Sequence, residues 1–321
     1  MIRYVAGRIV ESLIVIALMS IVIYALMALM PGDPIDIMIQ SDPDLTSADA
    51  ARLKAQYGLD KPILERYANW LGAAAQGDFG YSRIHSKPTL EVIGPRLGNT
   101  VLLMGITLIV SLALAIPIGV ASALKPYSIP DYTVNFLALA GISVPVFWLA
   151  LMLIILFSVN LGWLPAGGVG TIGVDGGWAA VWDRTRYLIL PVVALSIANV
   201  GGLTRFVRAA MMEVMRHDYI RTARAKGAPR RRVVMRHALR NAMIPVVTIL
   251  ALSFGGLFSG ALITETMFSY LGMGKLIYDS IIGSDYNVAL VSLLFATAVV
   301  LLSNLVADLC YAWLDPRVTY R

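Results

Sequence analysis

The chain has 321 residues, of which 58% are hydrophobic and only 14% charged, with a mean hydropathy of +0.74. A soluble domain carries about 25% charged residues and must keep its surface wetted, so lipid is the solvent for most of this chain; a soluble enzyme, a disordered chain and a disulfide scaffold are excluded. The net charge of +6 would suit nucleic acid in a soluble protein, but in a membrane chain the place of the charge matters more than its sum.

Six stretches meet the roughly 20 apolar residues that a membrane span requires: 9–30, 101–124, 134–159, 187–208, 243–264 and 287–313. The first follows Arg3 and Arg8, as a signal peptide would. Its apolar run is long for that role, and Ala28-Leu29-Met30-Pro31 makes a poor cleavage site, so it reads as an uncleaved span. The outer stretch 31–98 looks folded. Thr46 and Asp49 resemble a capping box, and the helical run to Tyr57 stops at Gly58. A second helix is expected from near Asp60, with Pro62 in its first turn and Ile63, Leu64, Tyr67, Trp70 and Leu71 recurring at helical spacing. This segment can pack on the bundle or sit at the lipid interface, and it can also dock an external partner; the readings are compatible.

Within the later spans, Pro117, Pro145, Pro191 and Pro245 and the crowded Gly255, Gly256 and Gly260 read either as kinks and close helix contacts or as pathway features. Ser143, Phe147 and Ser259 are the candidates for lining a pathway. Glu11, Glu265 and Asp308 fall near span ends, where snorkelling or capping accommodates them. No acid, lysine or arginine stands clearly mid-span, which argues against a proton-relay transporter. Gly168-Val169-Gly170-Thr171-Ile172-Gly173 matches a dinucleotide fingerprint, but no strand–turn–helix unit surrounds it; Gly272-Met273-Gly274-Lys275 is too short for a P-loop. Cys310 is the single cysteine, and His85, His217 and His237 lie far apart, so neither a disulfide nor metal-ligand spacing is present. No catalytic residue is assigned.

Lysine and arginine set the orientation. Residues 205–241 hold eleven bases against Glu213 and Asp218, a local charge of +9, whereas 31–98 hold seven bases against nine acids, a local −2. Positive charge is retained inside, so both termini are expected in the cytoplasm, as an even number of spans requires. The basic loop itself reads Asp218-Tyr219-Ile220-Arg221-Thr222-Ala223-Arg224-Ala225-Lys226-Gly227-Ala228-Pro229. Good helix formers run from Ile220 to Lys226, Gly227 is placed to end the helix, and Pro229 prevents its continuation. A loop that only fixed topology and touched anionic lipid would not need a short, terminated helix with small residues at its centre. Nucleic acid is a poor fit, because no aromatic platform accompanies the bases.

Tyr219 to Gly227, followed by Arg236-His237-Ala238-Leu239-Arg240-Asn241-Ala242 and Pro245, resembles the cytoplasmic loop of ABC-importer permeases, and more narrowly that of the dipeptide/oligopeptide/nickel group. Pro31-Gly32-Asp33-Pro34, Tyr57-Gly58-Leu59-Asp60-Lys61-Pro62, Gly77-Asp78-Phe79-Gly80, Ser143-Val144-Pro145-Val146-Phe147-Trp148, Leu161-Gly162-Trp163-Leu164-Pro165 and Asp315-Pro316-Arg317 agree, so the resemblance runs over nearly the whole chain. Arg221-Thr222-Ala223 stands where the general importer pattern has Glu-Ala-Ala, a form usual in the peptide group. Leu271 stands where relatives often carry proline.

The resemblance implies an all-α polytopic membrane protein with six transmembrane helices and the type I ABC importer permease fold. Residues 1–30 would form the cytoplasmic N-terminus and first span, 31–98 an extracytoplasmic helical segment, and 99–321 the five-helix core with a coupling loop at 209–242. The function implied is ATP-driven import of di- or oligopeptides, or of a nickel chelate, opine or oligosaccharide, across the inner membrane by alternating access. The implied partners are a second homologous permease, two ATP-binding subunits that carry ATP and Mg, an extracytoplasmic solute-binding protein and membrane lipid; no cofactor is expected on this chain. Contact with the ATPase would fall to Tyr219, Arg221, Thr222, Ala223, Ala225, Lys226 and Gly227. An ion-gradient-driven secondary transporter is the rival reading. It needs mid-membrane ionisable groups or inverted repeats. A membrane-embedded enzyme would need a convergent reactive set.

Overall fold

In this computed structural model the described residues are 2–29, 52, 61–174 and 176–314, with the side chains of 2–4, 248–260, 307 and 310–314 left aside. Helices dominate: α1 (Ile2–Ala28), α2 (Ile63–Ala75), α3 (Thr89–Leu124), α4 (Ile129–Ser143), α5 (Val146–Leu153), α6 (Gly177–Val214), α7 (Asp218–Ala225), α8 (Arg230–Arg232), α9 (Arg240–Met267), α10 (Met273–Ile282) and α11 (Tyr286–Leu314). A two-residue hairpin, β1 (Tyr81–Ser82) against β2 (Lys87–Pro88), precedes α3. Wide π-helical turns continue α5 over Ile154–Asn160 and α8 over Val233–Leu239.

Among the described residues, α1, α3, α6 and α11 are each long and apolar enough to cross a membrane, and α4 with α5 forms a fifth, bent pair. With the 28 residues of α9, every predicted span has a helical counterpart. The third departs from the expectation of one helix over 134–159: α4 and α5 meet at 95°. Pro145 has no N–H to continue the helix, and it drives Val144 into the extended region, at ψ 123. Two spans also outrun their apolar windows. The 36 residues of α3 and the 38 of α6 rise roughly 54 and 57 Å, well past a hydrocarbon layer of about 30 Å. Their ends carry Glu91, Arg96, Asp183 and Arg184, which hydropathy alone excludes from a span.

The chain divides into two units, Met1–Gly98 with Lys275–Val299, and Asn99–Gly274 with Val300–Arg321. In the first, α2 begins at Ile63, three residues after Asp60, so Pro62 is its N-cap rather than a first-turn residue. The capping box at Thr46 and the stop at Gly58 lie outside the described residues. Tyr67 and Trp70 face α1: Tyr67 shares a 2.7 Å hydrogen bond with Ser20, and its ring lies 5.4 Å from that of Tyr24. Leu64 stays 79% exposed, so α2 uses its aromatic edge for packing and leaves an apolar edge open. The hairpin is clasped to the turn between α10 and α11. Buried Asp285 accepts from the Ser82 hydroxyl at 2.6 Å and the Ile84 N–H at 3.1 Å, and Asn287 donates to the Tyr81 carbonyl at 3.1 Å.

The second unit has two apolar cores. One gathers Leu103, Ala150, Leu188, Leu190, Val192, Ala194, Leu195, Phe268 and Tyr270. The other gathers Ala123, Val207, Met211, Val214, Ile220, Val233, Val234, Ala238, Ala242 and Val246. The outward faces are apolar too, as lipid permits; Ile109, Phe136, Leu137 and Val159 are all more than half exposed.

Candidate functional site

The local sequence dictates α7. His217 enters in the extended region, at φ −69 and ψ 148, and the helix runs eight residues. It ends because Gly227 takes φ +76, where any Cβ would crowd the backbone. The Gly227 N–H then donates to the Arg224 carbonyl at 2.9 Å and the Ala228 N–H to the Ala223 carbonyl at 3.1 Å. This paired closure satisfies the final carbonyls, and Pro229 follows. Burial fixes the helix from below. Ile220 is fully enclosed by Val207, Met211 and Val214 of α6, Val233, Val234 and Ala238 of the π turn, and Ala242 and Val246 of α9. Three elements therefore hold α7, and a push on it must move them.

The upper face is open. Tyr219, Arg221, Thr222, Ala225, Lys226 and Gly227 are exposed, and Ala223 is half-buried against the core beneath. Tyr219 stacks on His217 at 5.5 Å and 15°. Its hydroxyl hydrogen-bonds to Asn241, and partial burial holds its pKa above the ordinary tyrosine value. Arg221 lies 3.4 Å from Asp218 across an exposed gap, a pair too solvated to fix the arginine. The face thus offers small residues for close approach, ringed by exposed cations.

The pathway candidates sit elsewhere. Ser143 and Phe147 flank the break between α4 and α5, both exposed, with the Ser143 hydroxyl returning to the Leu139 carbonyl at 2.8 Å. Ser259 falls outside the described side chains. Glu11 is at the surface beside Arg8, at 3.1 Å, as expected of an interfacial acid. Glu265 lies near the end of α9 but does not snorkel: it is fully buried, accepts from the Thr100 hydroxyl at 2.6 Å, and lies under Gly272, where any side chain would collide with its carboxylate. Helix packing around the outer turn, invisible to a hydropathy count, encloses it. Burial and the nearby Glu265 push Tyr270, whose hydroxyl donates to the Asn99 carbonyl at 3.1 Å, up to a pKa of about 12. The Leu271 carbonyl accepts from Asn99 at 2.8 Å. The glycine run 168–173 packs as a loop: the Gly168 N–H donates to the Phe268 carbonyl at 3.0 Å, and Gly167 leaves no room for a Cβ against that carbonyl.

One cluster was missed. Asp131, 1% exposed, receives both prongs of Arg208 at 2.6 Å, the Ser122 hydroxyl, the Tyr127 N–H at 2.8 Å and the Asn135 amide at 2.9 Å. Asp131 falls just before the third apolar window and Arg208 closes the fourth, so each reads alone as a boundary charge.

Residues 115–320 match the family described as "Binding-protein-dependent transport system inner membrane component", and residues 1–104 match "Binding-prot-dependent transport system membrane comp, N-term". The chain belongs to this permease family. It is 41% identical to the oligopeptide transport system permease protein AppB of Bacillus subtilis (strain 168), over the whole of both chains. It is 36% identical to the dipeptide transport system permease protein DppB of Alkalihalophilus pseudofirmus over the whole of both chains, and 36% to that of Escherichia coli (strain K12) over 98% of this chain and 97% of the other. Among solved structures, an inward-facing form of the MetNI methionine ABC transporter matches with a TM-score of 0.57 at 18% identity, over 70% of this chain and 97% of that one. That likeness establishes the type I importer permease fold. The permease is thus an inner-membrane component of a binding-protein-dependent transport system.

Proposed function

We propose that this permease is half of a transmembrane pair that admits di- or oligopeptides by alternating access, and that α7 is the handle by which a separate ATPase moves it. The observation that carries the reading is the anchoring of α7: Ile220 is fully buried among α6, the π turn and α9, while six of the seven candidate contact residues are exposed. A helix held in this way moves as a rigid body with its supports. Ala225 and Gly227 let a partner's surface approach closely, and Arg221 and Lys226 would find carboxylates or carbonyls on it. A second homologous permease would complete the passage, one ATP-binding subunit would grip each half with its ATP and Mg, and an extracytoplasmic binding protein would deliver the solute. Both termini would lie in the cytoplasm, on the side of the basic loop. The peptide relatives support the choice of solute, and the scarcity of mid-span ionisable groups supports an uncharged passage that leaves selection to the binding protein.

The test is uptake of a labelled dipeptide by cells that express the whole transporter, with ATP depleted and ion gradients maintained. Accumulation should stop. Persistent accumulation would contradict the proposal and favour an ion-coupled transporter.

A further inference from the structure

α4 and α6 run antiparallel along one line of close contact. At one end, Arg208 clasps Asp131 with both prongs at 2.6 Å. Further along, Gly201 brings α6 so near that a Cβ there would lie 2.5 Å from the Ala138 carbonyl, and Gly141 does the same to Ile197 at 3.2 Å. As the numbering climbs from 131 to 141 on α4, it falls from 208 to 197 on α6. One more turn of this register brings the Val144–Pro145 break beside the turn of α6 that follows Pro191, the helix's one internal proline. Each helix therefore has an interruption of its backbone ladder within about one turn of that level. Below that level α6 is fused both to α4 and, through Val207, Met211 and Val214, to the core that buries Ile220 of α7. Beyond the break, α5 joins the other core, with Ala150 against Leu188, Leu190 and Leu195.

We propose that Asp131 and Arg208 are positioning residues for transport: a strut that stays closed and makes α4 travel with α7 and the adjoining half of α6, so that motion is released at the Pro145–Pro191 level, next to Ser143 and Phe147. The cluster is built for that task. Asp131 is enclosed, its carboxylate is saturated by four donor groups, and Ser122 ties in the end of α3 as well. A bidentate arginine–carboxylate pair fixes orientation as well as distance. The inference rests on the reading of α7 as the ATPase handle.

The experiment uses the complete transporter in proteoliposomes, with Cys310→Ser as background and labelled alanyl-alanine as the probe. Asp131→Asn should leave ATP hydrolysis within reach of the parent while uptake per ATP falls by roughly 5- to 150-fold, the typical size of a coupling free energy. In the pair Asp131→Cys with Arg208→Cys, the reduced form should be similarly uncoupled, and bridging the two thiols with a short bifunctional methanethiosulfonate should restore uptake. A proportional fall of hydrolysis and uptake, unchanged uptake, or arrest on bridging would each overturn the strut. If Asp131→Asn fails to assemble, the bridged pair decides. Gly227→Val serves as the control: full uptake in that variant defeats the handle itself, whereas its failure beside normal coupling in Asp131→Asn defeats only the strut.

Discussion

Gly227 carries the sharpest single-residue consequence. At φ +76 a β-branched side chain costs roughly 1–2 kcal/mol of backbone strain, and relief requires the end of α7 to unwind and displace Ala225 and Lys226. Gly227→Val should therefore insert at parental levels, as immunoblots of membranes would report, yet abolish solute uptake in the assembled transporter. Normal uptake would remove the argument for a terminated helix. This residue was legible in sequence, because a glycine followed two positions later by proline is a local signal. Asp131 and Arg208 were not, since the partners lie 77 positions apart and nothing local marks either as more than a boundary charge. Glu265 failed for the same reason: its enclosure depends on Thr100 and Gly272, which only the folded chain brings near.

At the level of elements, α7 owes its rigidity to one apolar anchor. Replacing Ile220 by alanine should remove about 2–5 kcal/mol of packing, enough to free an eight-residue helix that has no intrinsic stability. Amide hydrogen exchange at 218–227 should rise toward solvent rates in Ile220→Ala, while the amides of 203–211 in α6 stay protected. Unchanged protection at 218–227 would mean that something other than this core holds the helix. The spans were readable because lipid leaves a continuous apolar run, and the loop helix because its start and stop are local. The bend between α4 and α5 was legible only in part: Pro145 reads as a kink candidate, but apolar runs on both sides average into one window and hide a break of 95°. The clasp of the β hairpin by Asp285 was equally hidden: two-residue strands have no period to detect.

For the molecule as a whole, hydropathy was enough to establish a polytopic chain, and the family match and fold agree with that; the cytoplasmic side of the basic loop rests on charge placement. Apolar faces clothe the spans, and the densest charge is concentrated on one hairpin that stands on a packed apolar base. Under the proposed function, that hairpin is where work would enter, through α7. The decisive measurement is site-directed crosslinking from Ala225→Cys, on a Cys310→Ser background, in the intact transporter. The account predicts a crosslink to a nucleotide-hydrolysing subunit whose yield changes when ATP binds; a crosslink pattern with no such neighbour at Ala225, in a transporter that still carries solute, would contradict it.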